Sequence, residues 1–221
     1  MLLVAADTSG KHGMIALARG NDDGTCTVIE TVSLEGSAFS AQLVPQISAL
    51  LSKNRFDKKE IDGFVVVSGP GSFTGLRVGL AAIKALAEVL VKPIAAVSLL
   101  DAMAGEAQED ILAALDAGRG QVYLGEYKVS SAGMVRVSGR SIMRDEFLNL
   151  VSGAKVVTPD SGIAELARNA GANVRIIENP GADVIARLGW KKILSSETLL
   201  PDQLDANYMS RSDGDIFSKQ H

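Results

Sequence analysis

The stretch Ser68-Gly69-Pro70-Gly71-Ser72-Phe73-Thr74-Gly75-Leu76-Arg77-Val78-Gly79-Leu80 constrains this chain more than any other. It follows Phe64–Val67, an apolar run of strand length, and opens into a long apolar segment of helix length. A turn built from Gly69, Pro70 and Gly71 needs residues free of the Cβ clash. Ser72 or Thr74 stands where an N-cap belongs, and a helix start capped there points backbone N–H groups outward, a candidate anion site. The spacing is not that of a Walker loop, because Leu76-Arg77 follows Gly75 where Lys-Ser or Lys-Thr would stand. A dinucleotide fingerprint would need glycine in place of Thr74. The glycines therefore fit two readings: a strand-to-helix turn that permits close packing, or a phosphate cradle of another type.

The segment after the loop predicts a helix over Thr74–Val91. Its only charges, Arg77, Lys84 and Glu88, fall on one narrow stripe, and every other direction is apolar or small. Such a helix is either deep in a core or covered by another chain. Gly75, Gly79 and Ala82 or Ile83 line one side and let a neighbouring backbone come close, with axes roughly 8–10 Å apart. Packing within its own domain and a subunit interface both satisfy that pattern.

The rest of the chain alternates strands and helices. Strands are expected at Leu2–Ala6, Met14–Ala18, Cys26–Leu34, Phe64–Val67, Ile94–Val97, Ile111–Leu115, Gln121–Val129, Met134–Ile142 and Lys155–Val157. Helices are expected at Ala38–Leu51, where Phe39, Leu43, Ile47 and Leu50 share a face and Pro45 should kink the helix or delay its start, and at Ser161–Asn169 and Asp183–Leu194. Ser98 is placed to cap a further helix holding Leu99, Leu100 and Met103. Three strands, helix, strand, helix, strand, then a partly similar second series, predicts an α/β chain of two lobes with mixed sheets: residues 1–104 and a smaller lobe over 105–221 with a polar tail.

Charge and histidine content narrow the chemistry. With a net charge of −4 and no basic run, the chain repels a phosphate backbone at long range, so nucleic-acid binding on its own is not expected. Cys26 is the single cysteine, which excludes an internal disulfide and suits a reducing compartment such as the cytoplasm. The N-terminus reaches Asp7 too early for a signal peptide, and Lys84, Glu88, Lys92 and Pro93 interrupt the longest apolar region, so no membrane is implied. Both histidines, His12 and His221, lie in unpromising places, a turn and the terminus, so a two-histidine metal site on one helix is impossible. Gly71-Ser72-Phe73-Thr74-Gly75 has its serine one position early for a nucleophile elbow. Cys26 sits in a strand pattern as a packing residue. Asp7, followed by Thr8 and Ser9 at a strand end, fits a phosphate or magnesium site and an Asx turn equally. Asp116 and Arg119 fit a pair across a turn.

Taken together, Gly69-Pro70-Gly71-Ser72-Phe73-Thr74-Gly75-Leu76-Arg77-Val78-Gly79 and Asp7-Thr8-Ser9 resemble the TsaB family, once called YeaZ, of the bacterial machinery that makes threonylcarbamoyladenosine in tRNA. Leu43-Val44-Pro45-Gln46-Ile47 resembles its Leu-x-Pro-x-Ile helix, and Asp116 to Tyr123 its Asp-Ala-Arg…Val-Tyr segment, with Gly118 as a departure. Pro201 to Arg211, with Tyr208 and Arg211, resembles a late Pro…Tyr-x-x-Arg stretch. Many relatives have His-Ser where this chain has Phe39-Ser40.

The resemblance implies an actin-like ATPase fold of two lobes. It also implies a larger catalytic paralogue, TsaD, as heterodimer partner, TsaE in the wider assembly, and a homodimer when TsaD is absent. On that reading tRNA is met only through the complex, ATP or ADP and metal belong to the partner, and this chain is a non-catalytic supporting subunit. The lack of paired histidines and the short second lobe agree with this. The expected partner surface is the apolar side of two helices, with Leu43, Ile47 and Leu50 on the first and Gly75, Leu76, Gly79, Ala82, Ile83 and Leu86 on the second. Asp7, Thr8 and Ser9 are the candidate nucleotide or phosphate contacts. Two rivals stand beside it: an autonomous ATPase or phosphotransferase using Asp7 as magnesium anchor, and a homodimeric binding module with a degenerate cleft.

Overall fold

A computed structural model describes residues 1–35, 39–105, 107–131 and 133–206. The described chain forms two units: Met1–Leu99 together with the stretch from Pro180 on, and Leu100–Asn179.

In the first unit β1 (Leu2–Asp7), β2 (Gly13–Gly20) and β3 (Cys26–Leu34) form an antiparallel meander. Then follow α1 (Phe39–Lys53), β4 (Ile61–Gly69), α2 (Phe73–Leu90) and β5 (Ile94–Ser98). β4 joins β1 in parallel and β5 joins β4 in parallel, giving the order β3-β2-β1-β4-β5. β1 is buried along its whole length and β4 nearly so, which is why both read as continuous apolar runs instead of alternating ones. β3, at the sheet edge, alternates half-buried and exposed residues. The helix α1 runs unbroken through Pro45, which lies on its exposed side. Phe39 begins α1 as a buried residue with its ring against Gly13.

A short helix, α3 (Leu99–Ala104), leads into β6 (Ile111–Gly118), β7 (Gln121–Ser130) and β8 (Gly133–Met143), again an antiparallel meander. Next come α4 (Arg144–Leu150), β9 (Lys155–Thr158), α5 (Ser161–Asn169) and β10 (Asn173–Ile176). The second sheet has the order β10-β9-β6-β7-β8, the first unit's order with shorter helices. Its core gathers Val122, Ile142, Phe147, Val151, Val156 and Ile163.

The last helix, α6 (Ala182–Leu194), departs from the sequence expectation of one lobe over 105–221: residues 180–206 belong to the first unit. α6 lies across all five strands of the first sheet. A Cβ on Gly189 would stand 2.2 Å from Val65, and one on Gly20 would stand 2.4 Å from the Trp190 ring. The absence of those two side chains lets the indole lie flat on the sheet, where it is 1% exposed and donates from Nε1 to the Asn21 carbonyl at 3.2 Å. Two mixed sheets with this repeated order, flanked by helices, make the actin-like ATPase fold expected from the sequence.

Candidate functional site

The loop between β4 and α2 meets the turn after β1. Ser72 caps α2: its hydroxyl accepts from the Gly75 N–H at 3.3 Å, and its carbonyl accepts from Leu76. The Ser72 N–H donates to the Ser9 carbonyl at 2.7 Å. The Thr8 hydroxyl donates to the Gly75 carbonyl at 2.7 Å, and the Asp7 carboxylate accepts from the Ser9 N–H at 2.7 Å. Asp7, Thr8 and Ser9 are all buried. Burial pushes the Asp7 carboxyl above its ordinary range, and its bond to Ser9 only partly offsets this.

The glycines exist for this contact. A Cβ on Gly71 would stand 2.6 Å from the Ser9 carbonyl oxygen, one on Gly75 2.0 Å from the Thr8 carbonyl oxygen, and one on Gly79 2.3 Å from Thr8 Oγ1. Gly69 has φ +132°, a conformation that only glycine adopts freely, and the Gly69–Pro70 bond is cis. Of the two readings of the loop, close packing is what the geometry shows. The N–H groups of Ser72, Gly75 and Leu76 are spent on Ser9 and Ser72. Asp7 forms the Asx turn of its second reading.

The burial of α1 and α2 bears on the surface expected from the sequence to meet a partner. Leu43, Ile47, Leu50, Leu76 and Ile83 are 0–4% exposed inside the first unit, and Gly75 and Gly79 are buried under the Thr8 turn. Those seven residues therefore belong to the chain's own core, and only Ala82 and Leu86 of the expected set keep partial exposure. The neighbour that the small-residue side admits is Thr8, from the same chain. What α1 and α2 present outward is another stripe: Val44, 44% exposed, and Pro45 on α1, with Phe73, 53% exposed, Ala81 and Ala85 on α2. Between the helices runs a groove of about 460 Å³ lined by Ser40, Leu43, Phe73, Thr74, Arg77, Val78, Ala81 and Ala82. The Arg77 guanidinium stacks 3.8 Å over the Phe73 ring, a cation–π contact on the groove's rim. The four-residue spacing of Phe73, Arg77, Ala81 and Ala85 was the sequence signal for this stripe.

The remaining candidates form no reactive set. His12 is exposed in its turn, and His221, Tyr208 and Arg211 lie outside the described residues. Among the described residues no group of three or more His, Cys, Asp or Glu side chains could hold a metal ion, and no helix is long and apolar enough to cross a membrane. Cys26 is half-buried, which raises its thiol pKa. Asp116 pairs with Arg144 at 3.4 Å instead of Arg119, which occupies a left-handed turn position at φ +52°. In the second unit the Tyr127 phenol donates to Asp101 at 2.7 Å, with Arg136 3.3 Å from the same oxygen. Burial and the Asp101 charge push that phenol far above its usual range, so it is a fixed donor and not an acid.

Comparison with known proteins bears on this architecture. The family model described as TsaD, tRNA N6-adenosine threonylcarbamoyltransferase, matches residues 33–178, about two thirds of the chain. The chain is 27% identical over 208 residues to the tRNA threonylcarbamoyladenosine biosynthesis protein TsaB of Bacillus subtilis, covering 92% of this chain and 85% of that protein. It is 31% identical over 139 residues to TsaB of Escherichia coli, covering 61% of this chain and 58% of that protein. An uncharacterized Mycobacterium tuberculosis protein is 33% identical over 125 residues, and the match spans 57% of this chain and 58% of that relative's length. In structure the chain is similar to YeaZ from Pseudomonas aeruginosa, with a TM-score of 0.74 at 23% identity over 94% of this chain and 99% of that one. With its Gly-Pro-Gly-Ser-Phe-Thr-Gly junction and its paired five-stranded sheets, the chain belongs to the family of the tRNA N6-adenosine threonylcarbamoyltransferase TsaD, as one of its TsaB (YeaZ) members.

Proposed function

We propose that this chain serves threonylcarbamoyladenosine formation in tRNA as a supporting subunit, docking the outward stripe of α1 and α2 onto TsaD. The observation that carries this is the groove between the two helices: apolar side chains stand exposed there although the same helices bury a full apolar side inward. Single exposed apolar residues are ordinary, but a contiguous apolar groove with an aromatic at its rim is the signature of a covered surface. The groove has the anatomy of an interface centre: Phe73 as anchor, Ala81 and Ala82 permitting close approach of a partner helix, and Arg77 at the edge. Burying a standard interface of about 1,600 Å² in total would hold such a complex.

The turn that Asp7 forms supports the subunit role over the ATPase alternative. Its carboxylate is buried and accepts the Ser9 N–H within the chain's own Asx turn. ATP or ADP and metal are assigned to TsaD in this proposal, with TsaE joining the wider assembly and a homodimer forming through the same stripe when TsaD is absent. Titration calorimetry of the isolated chain with ATP and then with TsaD separates the alternatives. The subunit reading expects heat only with TsaD. Micromolar ATP binding that is lost in Asp7→Ala would instead establish the autonomous enzyme.

A further inference from the structure

We propose that Thr8 is a positioning residue for the partner groove: its hydroxyl sets where the first two turns of α2 lie, and with them Phe73 and Arg77. This rests on the docking role given to the groove. Three contacts tie the turn after β1 to α2. The Ser9 carbonyl takes the Ser72 N–H, the Thr8 hydroxyl donates to the Gly75 carbonyl, and the Thr8 methyl and hydroxyl occupy the space a Gly79 side chain would fill. The Asp7 bond to the Ser9 N–H fixes the turn itself. Gly75 and Gly79 straddle Arg77, and Phe73 begins the same helix, so the residues held from beneath are interleaved with those presented above.

The second unit shows that this clamp is more than the fold requires. The corresponding turn after β6 reaches the start of α5 by one exposed bond, from the Asp116 N–H to the Asp160 carboxylate at 2.7 Å. At that helix start Gly162 faces open space, where Gly75 and Gly79 face Thr8. A buried hydroxyl aimed at a helix carbonyl adds little that an apolar side chain of the same shape would not supply to packing alone, but it fixes direction. The clamp accordingly sets the height of Phe73 and Arg77 above the sheet.

The test measures the affinity of the full chain for TsaD at a temperature where circular dichroism shows each variant folded. Thr8→Val keeps the shape and deletes the donor, and should weaken binding roughly threefold to tenfold. Thr8→Ser keeps the hydroxyl and should restore it. Thr158→Val, which removes a fully buried hydroxyl from the second unit, should leave affinity unchanged. If Thr8→Val does not fold, Thr8→Cys, whose thiol is a weak donor, takes its place with the same expected direction. Wild-type affinity in the folded donor-deleted variant, no rescue by serine, or an equal loss in Thr158→Val would each overturn the proposal. The substitution Ala85→Glu separates this from the docking role itself. If Ala85→Glu leaves binding intact, the outward stripe is not the docking surface; if it abolishes binding while Thr8→Val does not, the stripe stands and the positioning role of Thr8 fails.

Discussion

Where β1 ends, Asp7, Thr8 and Ser9 are buried against a helix start whose glycines make room for them. Where β6 ends, at the same place in a sheet of the same order, Asp116 lies half in solvent, shares a carboxylate oxygen with Arg144, and touches α5 through one exposed bond. Gly75 and Gly162 mark the contrast. Both sit in the first turn of the helix after the second parallel strand, yet a Cβ on Gly75 would collide with the Thr8 backbone and one on Gly162 would meet nothing within 4 Å. The same frame thus has one junction sealed shut and one left open. The helix over the sealed junction is 18 residues long and carries the apolar groove, whereas the helix over the open one has 9. The sealed junction spends its polar groups on holding α2 to the Thr8 turn.

The sharpest way to break this comparison is to add one methyl group to each helix start. Gly75→Ala should cost about 3 kcal/mol or more, because the obstacle is backbone and cannot rotate away. Gly162→Ala should be neutral or gain up to about 1 kcal/mol from helix propensity. Urea unfolding followed by circular dichroism reads both, and equal costs would erase the distinction. For the same reason Gly79→Leu is expected to damage the fold and not only association, since its side chain would enter the space of Thr8.

Next in size is the pH response of Asp7. Its folded pKa is raised above the unfolded value, so the stability it contributes is present below the unfolded pKa near 4 and is lost as pH rises through the folded value. Asp7→Asn keeps an acceptor for the Ser9 N–H and does not ionise. Its stability relative to wild type should improve as pH rises from about 4 toward neutrality. A difference independent of pH would show that the carboxyl is not held toward its neutral form.

The smallest effect lies at the far end of α2. Val91 adopts the left-handed conformation, φ +54°, while 87% exposed, so it has strain and little packing. A left-handed residue with a Cβ costs about 1–2 kcal/mol and glycine's extra entropy returns roughly 0.5–1, so Val91→Gly should gain about 0.5 kcal/mol. A loss in thermal melting would mean that Val91 is covered in solution.

Much of this was legible beforehand. The strands β1 to β9 and the helices α1, α2, α5 and α6 follow from apolar runs and helical spacing. β10 was not, because Asn173–Ile176 is four residues with none fully buried, and α4 was not, because Phe147 is the lone buried residue in a helix of seven. The return of α6 to the first sheet depends on Gly20 and Gly189 leaving space for Trp190 and Val65, pairs distant in sequence that no local pattern announces. The site was half legible. The loop and its glycines stood out, but α2 is apolar on nearly every side, so periodicity could not say which side the sheet takes. The Thr8 turn decides that, and it turned the expected partner surface inward.

The most direct test of the account is analytical ultracentrifugation of the full chain with TsaD, comparing wild type with Ala85→Glu on the exposed stripe of α2. The account predicts that Ala85→Glu melts like wild type and no longer co-sediments with TsaD. Unchanged co-sedimentation would contradict it.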